Sequence, residues 1–147
     1  MADHRAEQIL AAVQAAVLAL TTTGSNVDRG RADDVPVEKT PALRVTMGDD
    51  TIVEPWAQSL LDSEVDVSVI AMVHDSAANV ETKLNQVRKE VNIALAADPT
   101  LGLAFVHAIV ELGARAPILA GDMAKPAGSM ELQYRVKYRR ALTDPSA

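Results

Sequence analysis

A segment near the C-terminus alternates between apolar and polar side chains over ten residues, which is the pattern of a β-strand with one buried face. The apolar positions are Met130, Leu132, Tyr134, Val136 and Tyr138, and the polar positions between them are Glu131, Gln133, Arg135, Lys137 and Arg139. This pattern constrains the fold most, because it requires a sheet with one covered face and one open face. The open face of this strand is predicted to be basic.

Two earlier segments also show the period of two that a strand requires. Residues 43–47 alternate, and the tripeptide Gly48-Asp49-Asp50 that follows them has the composition of a turn. A second strand is predicted over residues 60–74, and its buried face consists of Val65, Val67, Val69, Ala71 and Val73. Residues 43–74 therefore predict a β-hairpin with a wide connecting loop.

Two amphipathic helices are predicted from apolar residues spaced three or four apart. The stripe of the first is Ile9, Val13, Ala16, Val17 and Leu20; the stripe of the second is Val80, Leu84, Val87, Val91 and Leu95. Asp75 or Ser76 is the expected N-cap of the second helix, and Asp98-Pro99 is expected to end it. Residues 103–112 are apolar on both faces, which favours a strand, with a short helix as the alternative.

The predicted element order is α-β-β-α-β-β, and the predicted fold class is α/β of the α+β type. A mostly antiparallel sheet is expected to be packed on one face by the two helices. A chain of 147 residues fits one domain, predicted over 1–147. Residues 24–42, with a short strand near 26–29, and residues 113–128 are predicted to be long loops, and residues 142–147 are predicted to fray.

The charge balance argues against a general nucleic-acid binder. The formal net charge is -6, whereas such binding depends on cations that displace counterions from phosphates. The chain has no cysteine, which excludes disulfide frameworks, thiolate zinc sites and cysteine nucleophiles. The apolar segment 9–20 is preceded by Asp3 and Glu7 and is far shorter than the ~20 residues of a membrane span, so no membrane association is expected.

No residue pattern in the chain predicts catalysis. Asp49 and Asp50 resemble a pair of metal-binding carboxylates, and a metal-dependent hydrolase is the hypothesis that follows, but no second carboxylate motif accompanies them and a turn is favoured. His74 and His107 lack the close spacing of zinc ligands. Phosphate-binding glycine loops, nucleophile elbows and dinucleotide motifs do not occur. We therefore expect a protein that is not an enzyme and has no cofactor and no metal.

Several segments taken together resemble the tail terminator family of long-tailed, siphovirus-type bacteriophages. They are the N-terminal amphipathic helix, Pro41-Ala-Leu-Arg-Val-Thr-Met-Gly-Asp-Asp50, the valine-rich second strand, Ala97-Asp98-Pro99 after the second helix, and Leu132-Gln-Tyr-Arg-Val-Lys-Tyr-Arg139. The resemblance spans most of the chain and lies in the element order and the closing strand. The alternatives are another phage neck or head-completion protein and a small ligand-binding α/β module, since a fold alone does not determine a function.

The resemblance implies a hexameric ring at the head-proximal end of a phage tail, assembled in the host cytoplasm. Such a ring stops polymerisation of the tail tube protein and offers a surface to head-completion proteins. Genomic DNA passes through it without specific binding, which suits an acidic chain. A head-to-tail interface that closes into a ring leaves two chemically different faces, so termination needs no chemical reaction.

Three groups of residues are candidates for contacts in such an assembly. The candidates for protein interfaces on loops are Ile52, Pro55, Trp56, Ile118, Leu119 and Met123. A basic row is predicted either to pair with a neighbouring subunit or to remain solvated, and it consists of Arg135, Lys137, Arg139 and Arg140. The candidates for an acidic lumen or rim are Asp49, Asp50, Glu54, Asp62 and Glu64, for which a solvated hairpin end is the alternative. For Trp56 the alternative is packing against the core.

Overall fold

The computed structural model describes residues 2–30, 39–56, 59–76, 78–120 and 127–147, except the side chains of 54–56 and 120. The described residues form two helices and six strands. They are α1 (Arg5–Ala16), β1 (Val27–Arg29), β2 (Ala42–Trp56), β3 (Leu60–His74), α2 (Val80–Ala96), β4 (Val106–Ala114), β5 (Ile118–Ala120) and β6 (Ala127–Ala141). The predicted α+β class is confirmed. The short strand predicted near residues 26–29 is β1, whereas β5 was not predicted.

The six strands form a single sheet. Five of them follow the order β1-β2-β3-β6-β4, and β5 pairs with β6 on the same side as β4. Only β1 is parallel to its neighbour, β2; the other pairs are antiparallel. The central pair, β3 and β6, is in continuous register from Leu60 opposite Ala141 to His74 opposite Ala127. This long uninterrupted pair forms the middle of the molecule.

Both helices pack on one face of the sheet, where the predicted apolar stripes meet. The buried cluster contains the α1 residues Ile9 and Val13 and all five predicted stripe residues of α2. It also contains the alternate residues of β3 and β6 that the sequence pattern placed on one face. The predicted core faces of α1, α2, β3 and β6 are therefore confirmed. The opposite face of the sheet carries no helix among the described residues.

The predicted turn at Gly48-Asp49-Asp50 is wrong, because β2 continues through it as a β-bulge. β2 advances three residues from Met47 to Asp50 while β3 advances two, from Val67 to Val65. A Cβ on Gly48 would lie 3.1 Å from the Cβ of Asp66 and 3.2 Å from its carbonyl oxygen. Glycine at a bulge permits this close approach, because it has no side chain. The residue types of this bulge, Gly48-Asp49-Asp50, are also those of a turn. Strand β2 consequently extends to Trp56 and β3 begins at Leu60, so the wide loop predicted between the two strands is wrong.

Two other predicted features also differ from the structure. The N-cap of α2 is Asn79 rather than Asp75 or Ser76, because a turn in which the Ser76 carbonyl accepts from the Val80 amide precedes the helix. The predicted loop 113–128 contains β5, and its residues 121–126 lie outside the described part of the chain. Residues 31–38 of the predicted loop 24–42 also lie outside it.

Strand β4 confirms the preference for a strand within 103–112.

The C-terminal residues 142–147, expected to fray, turn back onto the ends of two other elements. The amide of Arg5 donates to the carbonyl of Pro145 at 2.9 Å, and the amide of Leu142 donates to the carbonyl of Ser59 at 2.6 Å. These hydrogen bonds connect the end of β6 to the start of α1 and to the β2–β3 connection.

Candidate functional site

The open face of the sheet carries a ladder of opposite charges, formed by alternate residues of β3 and β6. Asp62, Glu64 and Asp66 lie opposite Arg139, Lys137 and Arg135 in the strand register. The Nε of Arg139 lies 2.8 Å from Asp62 Oδ1, the Nε of Arg135 lies 2.8 Å from Asp66 Oδ1, and Lys137 Nζ lies 3.9 Å from Glu64 Oε1. Hydrogen bonds to these aspartates raise the pKa of Arg135 and of Arg139.

The predicted basic row is therefore largely neutralised by carboxylates of its own chain. Arg140 does not belong to it, because it lies on the opposite face of β6 from Arg139. Its Nη1 donates to the carbonyl of Ala141 at 3.3 Å, and its Nε is buried without an acceptor among the described residues. The cross-strand pairing of Arg135, Lys137 and Arg139 was not predicted, and their side chains remain 35% to 51% exposed.

The five predicted acidic residues do not form one patch in the structure. Asp62 and Glu64 belong to the ladder, whereas Asp50 lies on the helix-facing side and accepts a hydrogen bond from the Tyr138 hydroxyl at 2.7 Å. Glu54 is paired with Asp62 in the strand register, and its side chain lies outside the described residues. Asp49 is exposed and makes no ion pair with any residue that the structure describes.

Two tyrosines of β6 are buried with their hydroxyls hydrogen bonded. Tyr138 is 0% exposed and donates to Asp50, and Tyr134 donates to the side-chain oxygen of Asn92 on α2. Burial is the main cause that raises the pKa of both phenols. The hydrogen bond to Asp50 and its charge raise the pKa of Tyr138 further, and the charge of Glu111 does the same for Tyr134.

These phenols predict a loss of stability in alkali. An unfolded tyrosine titrates near pH 10, so above that pH the unfolded chain releases protons that the folded chain retains. The stabilisation is complete below about pH 10 and falls as pH rises, by up to about 1.4 kcal/mol per pH unit for each tyrosine. Urea unfolding at pH 8 to 11 is expected to give a shallower decline for Tyr138→Phe than for the wild type. Identical declines would contradict this assignment.

Large apolar side chains are exposed along the second half of β2. Met47, Ile52 and Val53 are between 50% and 57% exposed. β1 pairs only with residues 43–45 of β2, so within the described part of the chain no strand lies beside these residues on the side away from β3. Ile52 was predicted as an interface residue, whereas Met47 and Val53 were not, because the supposed turn at residues 48–50 hid the continuation of the strand.

A second group of exposed apolar side chains lies at the other edge of the sheet. Ile118 and Leu119, both predicted as interface residues, are 69% and 62% exposed on β5. Val110 and Leu112 on β4 are also exposed. Their exposure was missed because a sequence apolar on both faces does not show which face the helices leave open.

The remaining predicted interface residues are placed only in part. Pro55 and Trp56 pair in register with Leu61 and Leu60 near the tip of the β2–β3 hairpin, but their side chains lie outside the described residues. Met123 lies outside the described part of the chain altogether. The structure therefore brings Ile52 to one edge of the sheet and Ile118 and Leu119 to the other.

The two histidines considered as metal ligands lie far apart. His74 is the last residue of β3, whereas His107 lies 3.5 Å from Asp62, near the start of that strand. Across the described ranges no three His, Asp or Glu side chains are grouped as metal ligands.

The helices leave an open groove of about 440 Å³, lined by Ala12, Ala15, Ala16, Ala94, Asp98 and Leu101. Neither described helix is long and apolar enough to cross a membrane.

Comparisons with known proteins find similarity among solved structures and none at the level of sequence. No family model matches the sequence, and no curated protein matches it. Among solved structures, the chain is similar to a chain of the "Virion of native gene transfer agent (GTA) particle". The TM-score is 0.47 at 13% sequence identity, and the match covers 92% of this chain and 88% of that chain.

Proposed function

We propose that this protein is a structural virion protein that forms a closed ring at the head-proximal end of a phage tail. The observation that carries the proposal is the exposure of large apolar side chains at both lateral edges of one sheet. Exposed apolar clusters mark surfaces that other proteins cover. A ring requires two different contact surfaces on each copy, and this sheet has a group of exposed apolar side chains at each edge.

The assignment to a tail terminator rests on the sequence resemblance together with this two-edged sheet. In a head-to-tail ring each copy uses one edge on each side, and the ring then has two unlike faces. One face caps the tail tube protein, and the other receives a head-completion protein. The ring acts through its shape, with no chemical step and no cofactor.

The charge of the protein supports the passage of DNA without specific binding. The net charge is -6, and an acidic ring repels phosphates. The ladder contributes little net charge to the surface, because each of its basic side chains lies opposite a carboxylate in the strand register. We therefore expect no affinity for duplex DNA at physiological ionic strength.

The test is addition of purified protein to growing tail tubes. A terminator binds to one end of each tube, so tubes assembled with it should be shorter than tubes assembled without it, and electron microscopy should show a ring at one end. A mixture in which tube length is unchanged and no end is decorated would contradict the proposal. Serum albumin at the same concentration controls for crowding.

A further inference from the structure

Building on the proposed ring, we infer that neighbouring copies meet through the two lateral edges of the sheet, with Asp49 of one copy against Arg115 of the next. We call Met47, Asp49, Ile52 and Val53 on β2 the acidic edge. We call Leu112 on β4, Arg115, and Ile118 and Leu119 on β5 the basic edge. The partner at each edge is a second copy of this chain.

The positions of the two edges suit a head-to-tail contact. β2 and β4 lie on opposite sides of the central β3–β6 pair, and β5 lies on the β4 side of β6. One copy therefore offers its acidic edge to one neighbour and its basic edge to the other. Because the two edges are different surfaces, the contact is heterologous, which is the kind that generates rings.

Each of the two sets contains one charged side chain among exposed apolar ones, Asp49 on β2 and Arg115 before β5. Glu111, another exposed charge of β4, lies 3.7 Å from Arg88 of α2. Asp49 is exposed between Met47 and Ile52, and residues 45–53 contain no lysine or arginine. Arg115 directly precedes β5, and its side chain is 69% exposed. Its Nε lies 3.0 Å from Glu131 Oε2. A guanidinium has several N–H donors in a planar fork, so Arg115 is able to bind a second carboxylate on its open side.

Side chains rather than backbone hydrogen bonds are expected to form this contact. β2 has register shifts between Met47 and Asp50 and between Ile52 and Glu54. β4 has shifts between Val106 and Ala108 and between Glu111 and Gly113. Bulges of this kind interrupt the regular backbone pattern and disfavour addition of a strand. The apolar side chains supply the buried area, and Asp49 with Arg115 determines which edges meet.

Charge reversal tests the inference by sedimentation velocity. Asp49→Arg and Arg115→Asp are each expected to weaken association about tenfold, because like charges then face each other at every contact. The double variant should associate like the wild type, since every contact again joins opposite charges. An equimolar mixture of the two single variants should also associate, because Asp49 of one then meets Arg115 of the other. Lys89→Glu, an exposed charge reversal on α2, is the matched control and should have no effect.

The outcomes distinguish this inference from the proposed function. If the wild type forms rings and the single reversals do not weaken them, or the double variant stays as weak as the singles, the edge assignment is overturned while the ring remains. If the wild type forms no ring under any condition, both are overturned. Equal thermal midpoints for all variants verify that weaker association does not come from unfolding.

Discussion

Ile118→Asp is expected to abolish ring formation while leaving the fold of the single subunit intact. Ile118 is 69% exposed in the isolated chain, so its replacement should change the free energy of unfolding by no more than about 0.5 kcal/mol. At a subunit contact the same carboxylate is buried without a partner, which costs several kcal/mol. Since every contact of a ring contains the substitution, association should weaken more than a hundredfold, as measured by light scattering.

Ile93→Asp is the matched control for this experiment. Ile93 is 60% exposed on α2, similar to Ile118, but it lies on neither edge of the sheet. We expect Ile93→Asp to form rings with the wild-type affinity. Rings formed by Ile118→Asp, or an equal loss in both variants, would show that the basic edge does not form the contact.

Gly128→Ala is expected to lower the free energy of unfolding by about 1–3 kcal/mol. A Cβ at this position would lie 2.4 Å from Val80 Cγ1, 3.1 Å from Leu84 Cδ1 and 3.3 Å from Leu119 Cδ2. Valine is branched at Cβ and has few alternative rotamers, so α2 or β6 must move to admit the methyl group. Urea unfolding of the variant measures the cost.

A double-mutant cycle with Val80→Ala tests the cause of this cost. Val80→Ala removes the nearest clashing atom, so Gly128→Ala should cost clearly less in the Val80→Ala background than in the wild type. Equal costs in both backgrounds would mean that another contact limits the approach of β6 to α2.

The alternating and amphipathic segments made most of the fold predictable from the sequence. Ten residues of β6 alternate without interruption, and the stripe of α2 keeps its spacing from Val80 to Leu95. Such periodicity reports directly which side of an element is buried. Those faces lie in the core of the structure, and two helices cover one side of a mostly antiparallel sheet.

The errors arose where one composition is compatible with two local structures. Gly48-Asp49-Asp50 suits both a turn and a bulge, and only the close approach of Gly48 to Asp66 distinguishes them. Gly128 was assigned to a loop, although it lies in β6 beneath α2. In both positions a residue distant in sequence lies so close that only glycine fits. The local sequence pattern does not reveal such a contact.

The candidate site depended on strand register, which the sequence did not provide. The predicted basic row and two of the predicted acidic residues, Asp62 and Glu64, prove to be cross-strand partners because β3 and β6 pair in one particular register. Exposure at the sheet edges likewise depends on strand order. Ile118 and Leu119 were found as candidates because apolar residues in a segment rich in glycine and proline suggest a binding surface.

The mass of the purified protein in solution tests the central claim most directly. Sedimentation velocity over a range of protein and salt concentrations is expected to show a closed species with about six times the 15.6 kDa mass of the chain, with no larger species following it. A protein that remains at 15.6 kDa under every condition, including in the presence of tail tubes, would contradict the account.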